Sequence, residues 1–314
     1  MHALTINQGR IDWVLHPDPA PGPGQILVEV HAAGVNAADL LQRDGFYPAP
    51  AGSPPDIPGL ELAGKVMAVG PGTGRFAVGD RVMAVVGGGA QAELIVVDES
   101  HAMAVPHSMG WDEAGGFPEA FSTAYDALVT QCGLMVGDRV LVTGAAGGVG
   151  TAAVQLAAAA GASVVASVRD ASLLDAVLSL GATHALSPDE AAGRGPFDVV
   201  LELVSGPSFA TSLAALATGG RLSVIGVGGG ASAEIDLLTL MQRRARVHGS
   251  TLRARSSADK AFVAREVEAH VVPLVARGRV RVPIVERMAL SQGAEAYARF
   301  AQGAKFGKVV LVRA

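Results

Sequence analysis

The chain holds a single cysteine, Cys132, among 314 residues, and aromatic residues make up only 4% of it. One thiol excludes an internal disulfide framework and any Cys-rich zinc or iron–sulfur centre. Charge is also scarce: 17% of residues are charged, with 24 Lys+Arg against 29 Asp+Glu and a net charge of −5. No basic stripe is available to displace counterions from a phosphate backbone, which argues against a nucleic-acid partner. The first residues, MHALTINQGRIDWVL, show no basic segment followed by an apolar one. A secretory leader is therefore not expected, and a cytoplasmic location is. The uncharged run at 140–168 is long enough to cross a bilayer, yet it contains five glycines and Gln155 and changes period partway. It reads as strand, turn and helix, so no membrane partner is expected.

What is plentiful sets the architecture. Half of the residues are apolar, which excludes intrinsic disorder, and 40 are glycine, well above the usual ~7%. At roughly 150 residues per domain, the length predicts two domains.

Residues 26–32 (ILVEVHA) alternate apolar and polar side chains, and 62–69, 81–86 and 92–97 are further strand candidates between Gly- and Pro-rich turns. The glycines and prolines at 48–59 mark a long loop of the kind that often carries function. This part predicts a β-rich unit, a partly open barrel. From about residue 114 the texture changes. A helical pattern at 120–131 precedes strands at 139–143, 163–168, 198–203, 221–227 and 246–250. Helices at 149–160, 173–180, 209–217 and 237–244 alternate with them. Such alternation predicts a parallel sheet with right-handed crossovers. Residues 256–277 read as one helix, and the strand at 308–312 suits the first unit. The expected class is thus α/β, with a nucleotide-binding domain (120–251) inserted into a β-rich domain (1–119 plus 252–314).

GAAGGVG at 144–150 stands between an apolar strand and an Ala-rich helix. Backbone without Cβ and helix N-terminal N–H groups suit the pyrophosphate of a dinucleotide there. At the end of the next strand an acidic residue would hold the ribose 2′-OH of NAD; Arg169 stands there instead. Its guanidinium suits a 2′-phosphate and favours NADPH, unless it merely pairs with Asp170. A short-chain dehydrogenase is excluded because no tyrosine begins a Tyr-x-x-x-Lys: Ala51, Val129 and Ala301 follow Tyr47, Tyr125 and Tyr297 at that spacing.

The order of parts resembles the zinc-independent quinone oxidoreductase branch of the medium-chain dehydrogenase/reductase superfamily. The matching segments are GVNAADLLQRDGFYP (34–48), PGLELAGKVMAVG (58–70), GDRVMA (79–84), PEAFSTAYDAL (118–128), GDRVLVTGAAGGVGTAAVQLA (137–157) and FGKVVL (306–311). GGGAQAE (87–93), PEAFSTA and RRARVHGSTLRAR (243–255) are most similar to the p53-inducible quinone oxidoreductase group. The resemblance implies a Rossmann domain inserted into a GroES-like catalytic domain, with chemistry in a cleft beside the nicotinamide. Zinc-dependent relatives carry a ligand Cys where Asn36 stands and a ligand His where Leu60 stands, and their Cys-rich lobe is missing. No zinc is therefore expected, and without that Lewis acid alcohol oxidation is disfavoured.

The resemblance further implies that Asn36 and Tyr47 are catalytic groups that also touch the cofactor. Asn36 could instead tie down its loop, and Tyr47 could pack beneath the Pro-rich segment. Thr123 is implied as a cofactor contact, with helix capping as the alternative. Gly147, Gly148 and Val149 would cradle the pyrophosphate, and Ser167 and Arg169 would face the adenosine ribose. Ile225, Gly226, Val227 and Gly228 would run past the nicotinamide ribose, and Ser250, Thr251 and Leu252 past the carboxamide. Phe306 and Lys308 would close the site, although Lys308 could equally be a solvated surface residue. Relatives often have a Lys near Ser172 and Leu173, and a Tyr where Ser187 stands. Glu61 pairs at most with a cation, Cys132 packs, and His31, His101, His107, His184 and His270 show no metal-ligand spacing.

The expected activity is NADPH-dependent reduction of a quinone or another activated carbonyl compound by a homodimer that offers strand 246–250 as its sheet edge. Reduction of α,β-unsaturated ketones or enoyl thioesters is the first alternative, and a non-catalytic NADPH-binding sensor the second.

Overall fold

The computed structural model describes residues 1–303 and 305–313. The chain forms two units, Met1–Ser122 with Leu252–Ala314, and Thr123–Thr251 between them in sequence. Along the chain, the first unit opens with β1 (His2–Asn7), β2 (Arg10–Leu15), β3 (Gln25–Val35), α1 (Ala37–Arg43), β4 (Glu61–Val69), β5 (Arg81–Val85), β6 (Leu94–Asp98), β7 (Ala102–Ala104) and α2 (Trp111–Gly116). Helix α3 (Pro118–Tyr125) runs into a π-helical turn at Asp126–Gln131, where a single regular helix was expected. The second unit follows with β8 (Arg139–Val142), α4 (Gly148–Ala159), β9 (Ser163–Ser167), α5 (Leu174–Leu178), β10 (His184–Leu186), α6 (Pro188–Ala192), β11 (Phe197–Glu202), α7 (Ser208–Ala214), β12 (Leu216–Val224), α8 (Leu237–Arg243) and β13 (Arg246–Gly249). The first unit is completed by α9 (Ser257–His270), α10 (Val272–Ala276), β14 (Ile284–Ala289), α11 (Gly293–Ala301) and β15 (Lys308–Val312).

In the first unit β3 organises a seven-stranded sheet of order β14-β15-β3-β4-β5-β7. On one side it pairs antiparallel with β4; on the other, its first half pairs with β6 and its last four residues with β15. The alternation of β3 buries Ile26, Val28 and Val30 with Leu62, Val66 and Val82 in one core. Its far end joins a second core, in which Val35 and Leu311 meet Leu4, Ile11 and Tyr297. That second core explains two elements that periodicity alone did not reveal, the β1–β2 hairpin and α11: each supplies one apolar stripe to a shared cluster. The helix expected over 256–277 is two helices, because Pro273 lacks an N–H and restarts the chain in the first turn of α10.

The second unit has a six-stranded, all-parallel sheet of order β10-β9-β8-β11-β12-β13. Each strand is followed by a crossover helix or turn, and the order reverses between β8 and β11. In doubly wound folds ligands bind outside the strand ends at that switch point. Alanine makes α4 thin enough to lie close on β8 and β9, and its residues from Gly150 to Ala157 are all buried. The strand expected at 221–227 runs earlier, from Leu216 to Val224, so 225–228 emerge from its end as loop. Cys132 is buried, and burial pushes its thiol up to about 11, so it stays protonated as a packing residue. Among the described residues no helix is long and apolar enough to cross a membrane.

Candidate active site

In the first unit the junctions β3–α1 and β4, together with the start of β15, bring four polar side chains into the core. Lys308, the first residue of β15, is 3% exposed, which settles the open choice against a solvated surface lysine. Its Nζ lies 2.5 Å from Oε1 of the fully buried Glu61 and donates to Asn36 Oδ1 at 2.5 Å. Asn36 Nδ2 donates to the same Glu61 Oε1 at 2.9 Å, and the Glu119 N–H donates to Oε2 at 2.8 Å. A buried carboxylate and a buried ammonium are tolerable only when paired and hydrogen-bonded in this way. Gly34 is required beside them, because a Cβ there would meet Glu61 Oε1 at 2.1 Å.

Below this triad lies Asp39, which accepts from the Asn36 N–H (2.8 Å), the Gly59 N–H (3.2 Å) and Gln91 Nε2 (3.3 Å). Gln91 Oε1 in turn accepts from the buried Tyr297 hydroxyl at 2.8 Å. Burial pushes the Asp39 carboxyl up to about 7, against the pull of the two backbone N–H groups and of Lys308. Tyr47 is half-buried at the end of the α1 turn, with the Arg253 guanidinium 4.9 Å from its ring centre. Phe306 is half-buried just before β15, and Leu252 is half-buried where the chain re-enters this unit.

In the second unit the phosphate turn lies at the switch point. Gly147 is the N-cap of α4, and Gly148 and Val149 open its first turn, which holds no acidic residue. Two glycines of this turn have different reasons to exist. A Cβ on Gly150 would meet Gly144 O at 2.4 Å and Ala145 Cα at 2.7 Å, so the protein's own packing demands it. A Cβ on Gly147 would meet nothing closer than 3.5 Å, and one on Gly228 nothing within 4 Å. With ordinary φ at both, the structure itself does not need glycine there, and the open space suits a ligand backed by free helix N–H groups. A dinucleotide pyrophosphate fits this cradle.

Ser167 ends β9 buried, and its carbonyl accepts from the Ala145 N–H at 3.1 Å, which ties the turn to the end of β9. Arg169 is exposed two residues later. Asp170 caps the following turn, with Arg169 only a weaker electrostatic neighbour: Oδ1 accepts from Ser172 N at 3.0 Å and Ser172 Oγ at 2.7 Å. Ser187 is likewise committed, bonding Glu190 in a capping box at the start of α6. Ile225 and Gly226 donate to the Glu202 carbonyl, and Val227 and Gly228 lie beyond them in an exposed stretch. Ser250 Oγ donates to Asp126 Oδ2 at 3.0 Å, Thr251 is exposed, and Thr123 lies inside α3, not at its cap.

Sequence reasoning missed three contributors. Glu202, fully buried at the end of β11, accepts from Thr143 Oγ1, the N–H groups of Val204 and Ser205, and the hydroxyls of Ser208 and Ser212. It thereby fastens the strand ends around the switch point. Asp39 and Arg253 were missed as well, since each acts through partners distant in sequence. A carboxylate directly following the apolar run Val199–Leu201 was the available signal for Glu202.

A model described as an alcohol dehydrogenase GroES-like domain matches residues 22–129, and one described as a zinc-binding dehydrogenase matches residues 148–268. A chloroplast envelope quinone oxidoreductase homolog of Arabidopsis thaliana is 31% identical over 332 residues, covering 99% of this chain and 98% of its own. The chain belongs to the medium-chain dehydrogenase/reductase superfamily, in its quinone oxidoreductase-like group. Solved structures of the same fold include one described as an NAD-dependent alcohol dehydrogenase, at 27% identity and a TM-score of 0.87. A mycobacterial quinone oxidoreductase superposes with a TM-score of 0.85 at 28% identity over 99% of both chains. Polyketide synthase GfsB of Streptomyces halstedii is 36% identical over 306 residues, 96% of this chain, yet the chain spans only 5% of that protein.

The superfamily name raises the question of zinc, and the residues present do not fit it. At the positions where the resemblance implies a ligand cysteine and histidine stand Asn36 and Leu60, and Asn36 Oδ1 and Glu61 Oε1 are both occupied by the Lys308 ammonium. No cluster of three or more His, Cys, Asp or Glu suited to a metal occurs among the described residues.

Two consequences are measurable. Replacing Lys308 by Met strands the Glu61 carboxylate in the core and should destabilise the protein by about 3–5 kcal/mol, while Glu61→Gln combined with Lys308→Met should recover much of that loss. Urea denaturation at neutral pH reads both. Asp39 carries a folded pKa above its unfolded one, so the folded state keeps a proton that the unfolded chain releases. Its contribution to stability is complete below about pH 4 and declines as pH rises toward 7. The stability difference between wild type and Asp39→Asn should therefore move against wild type by up to about 1.4 kcal/mol per pH unit in that window. A flat or opposite trend in denaturation midpoints would contradict this assignment.

Proposed function

We propose that the protein is a cytoplasmic, zinc-independent, NADPH-dependent reductase of quinones and related activated carbonyl compounds. The observation that supports this reading is the Lys308–Glu61–Asn36 triad, an ammonium and a pinned amide at a position where the family resemblance implies a metal ligand in zinc-dependent relatives. Bound nicotinamide supplies the hydride. Gly147, Gly148 and Val149 hold the pyrophosphate, Ser167 and Arg169 the 2′-phosphorylated ribose, and 225–228 and 250–252 the nicotinamide end, with Thr123 beside it.

Asn36 is held at both ends of its amide, and one Nδ2 hydrogen is left after the bond to Glu61. The ammonium on Oδ1 polarises the amide, which makes that hydrogen a stronger donor toward an oxygen gaining negative charge. A quinone reduced by hydride develops its charge on just such an oxygen and spreads it over the ring, so it needs little acid catalysis. Tyr47 or water delivers the proton. Positioning in a dry pocket then supplies most of the acceleration. Phe306 shields the approach to Lys308.

Similarity to polyketide synthases favours a second reading, reduction of an enoyl thioester or α,β-unsaturated ketone by the same hydride. Two copies pair through β13, an edge strand that carries the exposed Val247 and follows the exposed Leu237, Leu238 and Met241 of α8. Sedimentation should give a dimer that Leu238→Asp with Met241→Asp shifts to monomer.

Consumption of NADPH with an ortho-quinone, run beside a linear enone and NADH, tests the activity. Quinone turnover with NADPH is expected, and Arg169→Ala should raise the NADPH KM about 10- to 100-fold while leaving NADH unchanged. Enone turnover without quinone turnover transfers the assignment to alkene reduction. Tight NADPH binding with no turnover of any acceptor leaves a sensor.

A further inference from the structure

We propose that Arg253 is the positioning residue that sets the conformation of the 47–58 loop and, through it, which acceptors the enzyme takes. The inference rests on the reductase reading. Arg253 is 5% exposed, one residue after Leu252. Its guanidinium spends its fork on three acceptors around a single loop. Nη1 donates to the Tyr47 carbonyl at 2.8 Å, where the loop begins. Nη2 donates to Gln42 Oε1, and Gln42 Nε2 donates to the Pro55 carbonyl at 3.2 Å, near where the loop ends. Nε donates to the Gly87 carbonyl at 2.8 Å.

Gly87 belongs to the surface on which the loop lies. A Cβ there would meet Ser53 Oγ at 2.3 Å and Pro50 Cγ at 2.8 Å. The same plane also faces the Tyr47 ring. One side chain therefore joins the start, the end and the bed of the loop. The last residues of the loop are also held by backbone, the Asp56, Ile57 and Pro58 carbonyls accepting from the N–H groups of Ile6, Gly89 and Gln91. Residues 47–55 have little else: YPAPAGSPPDIP contains five prolines, which donate no backbone hydrogen bonds, and no helix or strand forms in it.

The bonds to Gly87 and Tyr47 run to backbone carbonyls and the third to a side-chain amide, so no carboxylate pairs directly with the guanidinium. Burial lowers its pKa, with Asp39 the leading opposing charge. A buried cation without an ion-pair partner costs stability unless its donors are fully used. Only a planar fork matches three acceptors set around it; a lysine ammonium in the same place keeps the charge and loses the geometry.

Arg253→Lys separates positioning from folding. The variant should keep its NADPH dissociation constant within about threefold of wild type. Its KM should rise about tenfold for a bulky ortho-quinone and distinctly less for benzoquinone, with kcat changed less than KM. Chymotrypsin cleavage after the exposed Phe46 should accelerate, a readout that needs no turnover. Should Arg253→Lys not fold, Gln42→Met removes the Pro55 arm alone and should show the same changes at smaller size. Unchanged cleavage and unchanged quinone KM in either folded variant would overturn the proposal, as would an equal rise in the NADPH and quinone constants. If the wild type turns over no acceptor, the reductase reading fails, while the cleavage rates still decide whether Arg253 holds the loop.

Discussion

Much of the first unit's site depends on one ammonium that has been taken out of water. Lys308 Nζ reaches Glu61 and Asn36 at once, and these belong to β15, β4 and the end of β3, three neighbouring strands of one sheet. Desolvating both charges is expensive, and their attraction offsets it only if the remaining lone pairs are also used. The Glu119 N–H and Asn36 Nδ2 use them. The cluster thus adds little to net stability compared with apolar packing, but it tolerates only one arrangement of the strand ends. Asn36 receives a fixed orientation from it, and Asp39 then fixes the backbone of Asn36 from the other side.

The second unit separates packing from binding within a single turn. Gly150 and Gly226 are demanded by the protein itself, since a Cβ on either would come within 2.4 Å of a backbone oxygen. Gly147 and Gly228 are not. A residue type kept small where nothing inside the fold requires it marks the surface presented outward, here the start of α4 and the loop after β12. Glu202 links the two: its carboxylate gathers the hydroxyl of Thr143 and the N–H groups after β11, and its carbonyl receives the N–H groups of Ile225 and Gly226.

Local order was legible in the sequence. Alternation located β3 to β6, the glycine turn located the switch point, and the strand at 308–312 was recognised as belonging to the first unit, where it pairs with β3. What escaped has a common physical cause. Lys308 and Asn36 are 272 residues apart, and Arg253 and Tyr47 are 206 apart. A charged residue is ordinarily exposed, so composition argues for the surface until its partner is known. No periodicity encodes a partner at that separation. The β1–β2 hairpin and α11 escaped for a related reason: each is short, with only one apolar stripe, and becomes an element through a core shared with Val35 and Leu311.

On the proposed zinc-independent reading, an ammonium standing in place of a metal has chemical consequences beyond the loss of ligands. A zinc ion withdraws electrons from an oxygen bound directly to it and can lower the pKa of an alcohol by several units. The Lys308 ammonium is spent on Asn36 and Glu61, so in the proposed mechanism its influence on a substrate would pass through the Asn36 amide as a single polarised N–H. Such a donor stabilises charge that arrives on an oxygen, but is poorly suited to removing a proton from a neutral alcohol. Under the proposed function such an arrangement would favour reduction of acceptors that are already electrophilic and place the burden of selectivity on shape. On that reading shape is what the Pro-rich 47–58 loop contributes; backbone bonds hold its last residues, and its start, with so few donors of its own, is held by a side chain outside it. That is the position Arg253 occupies.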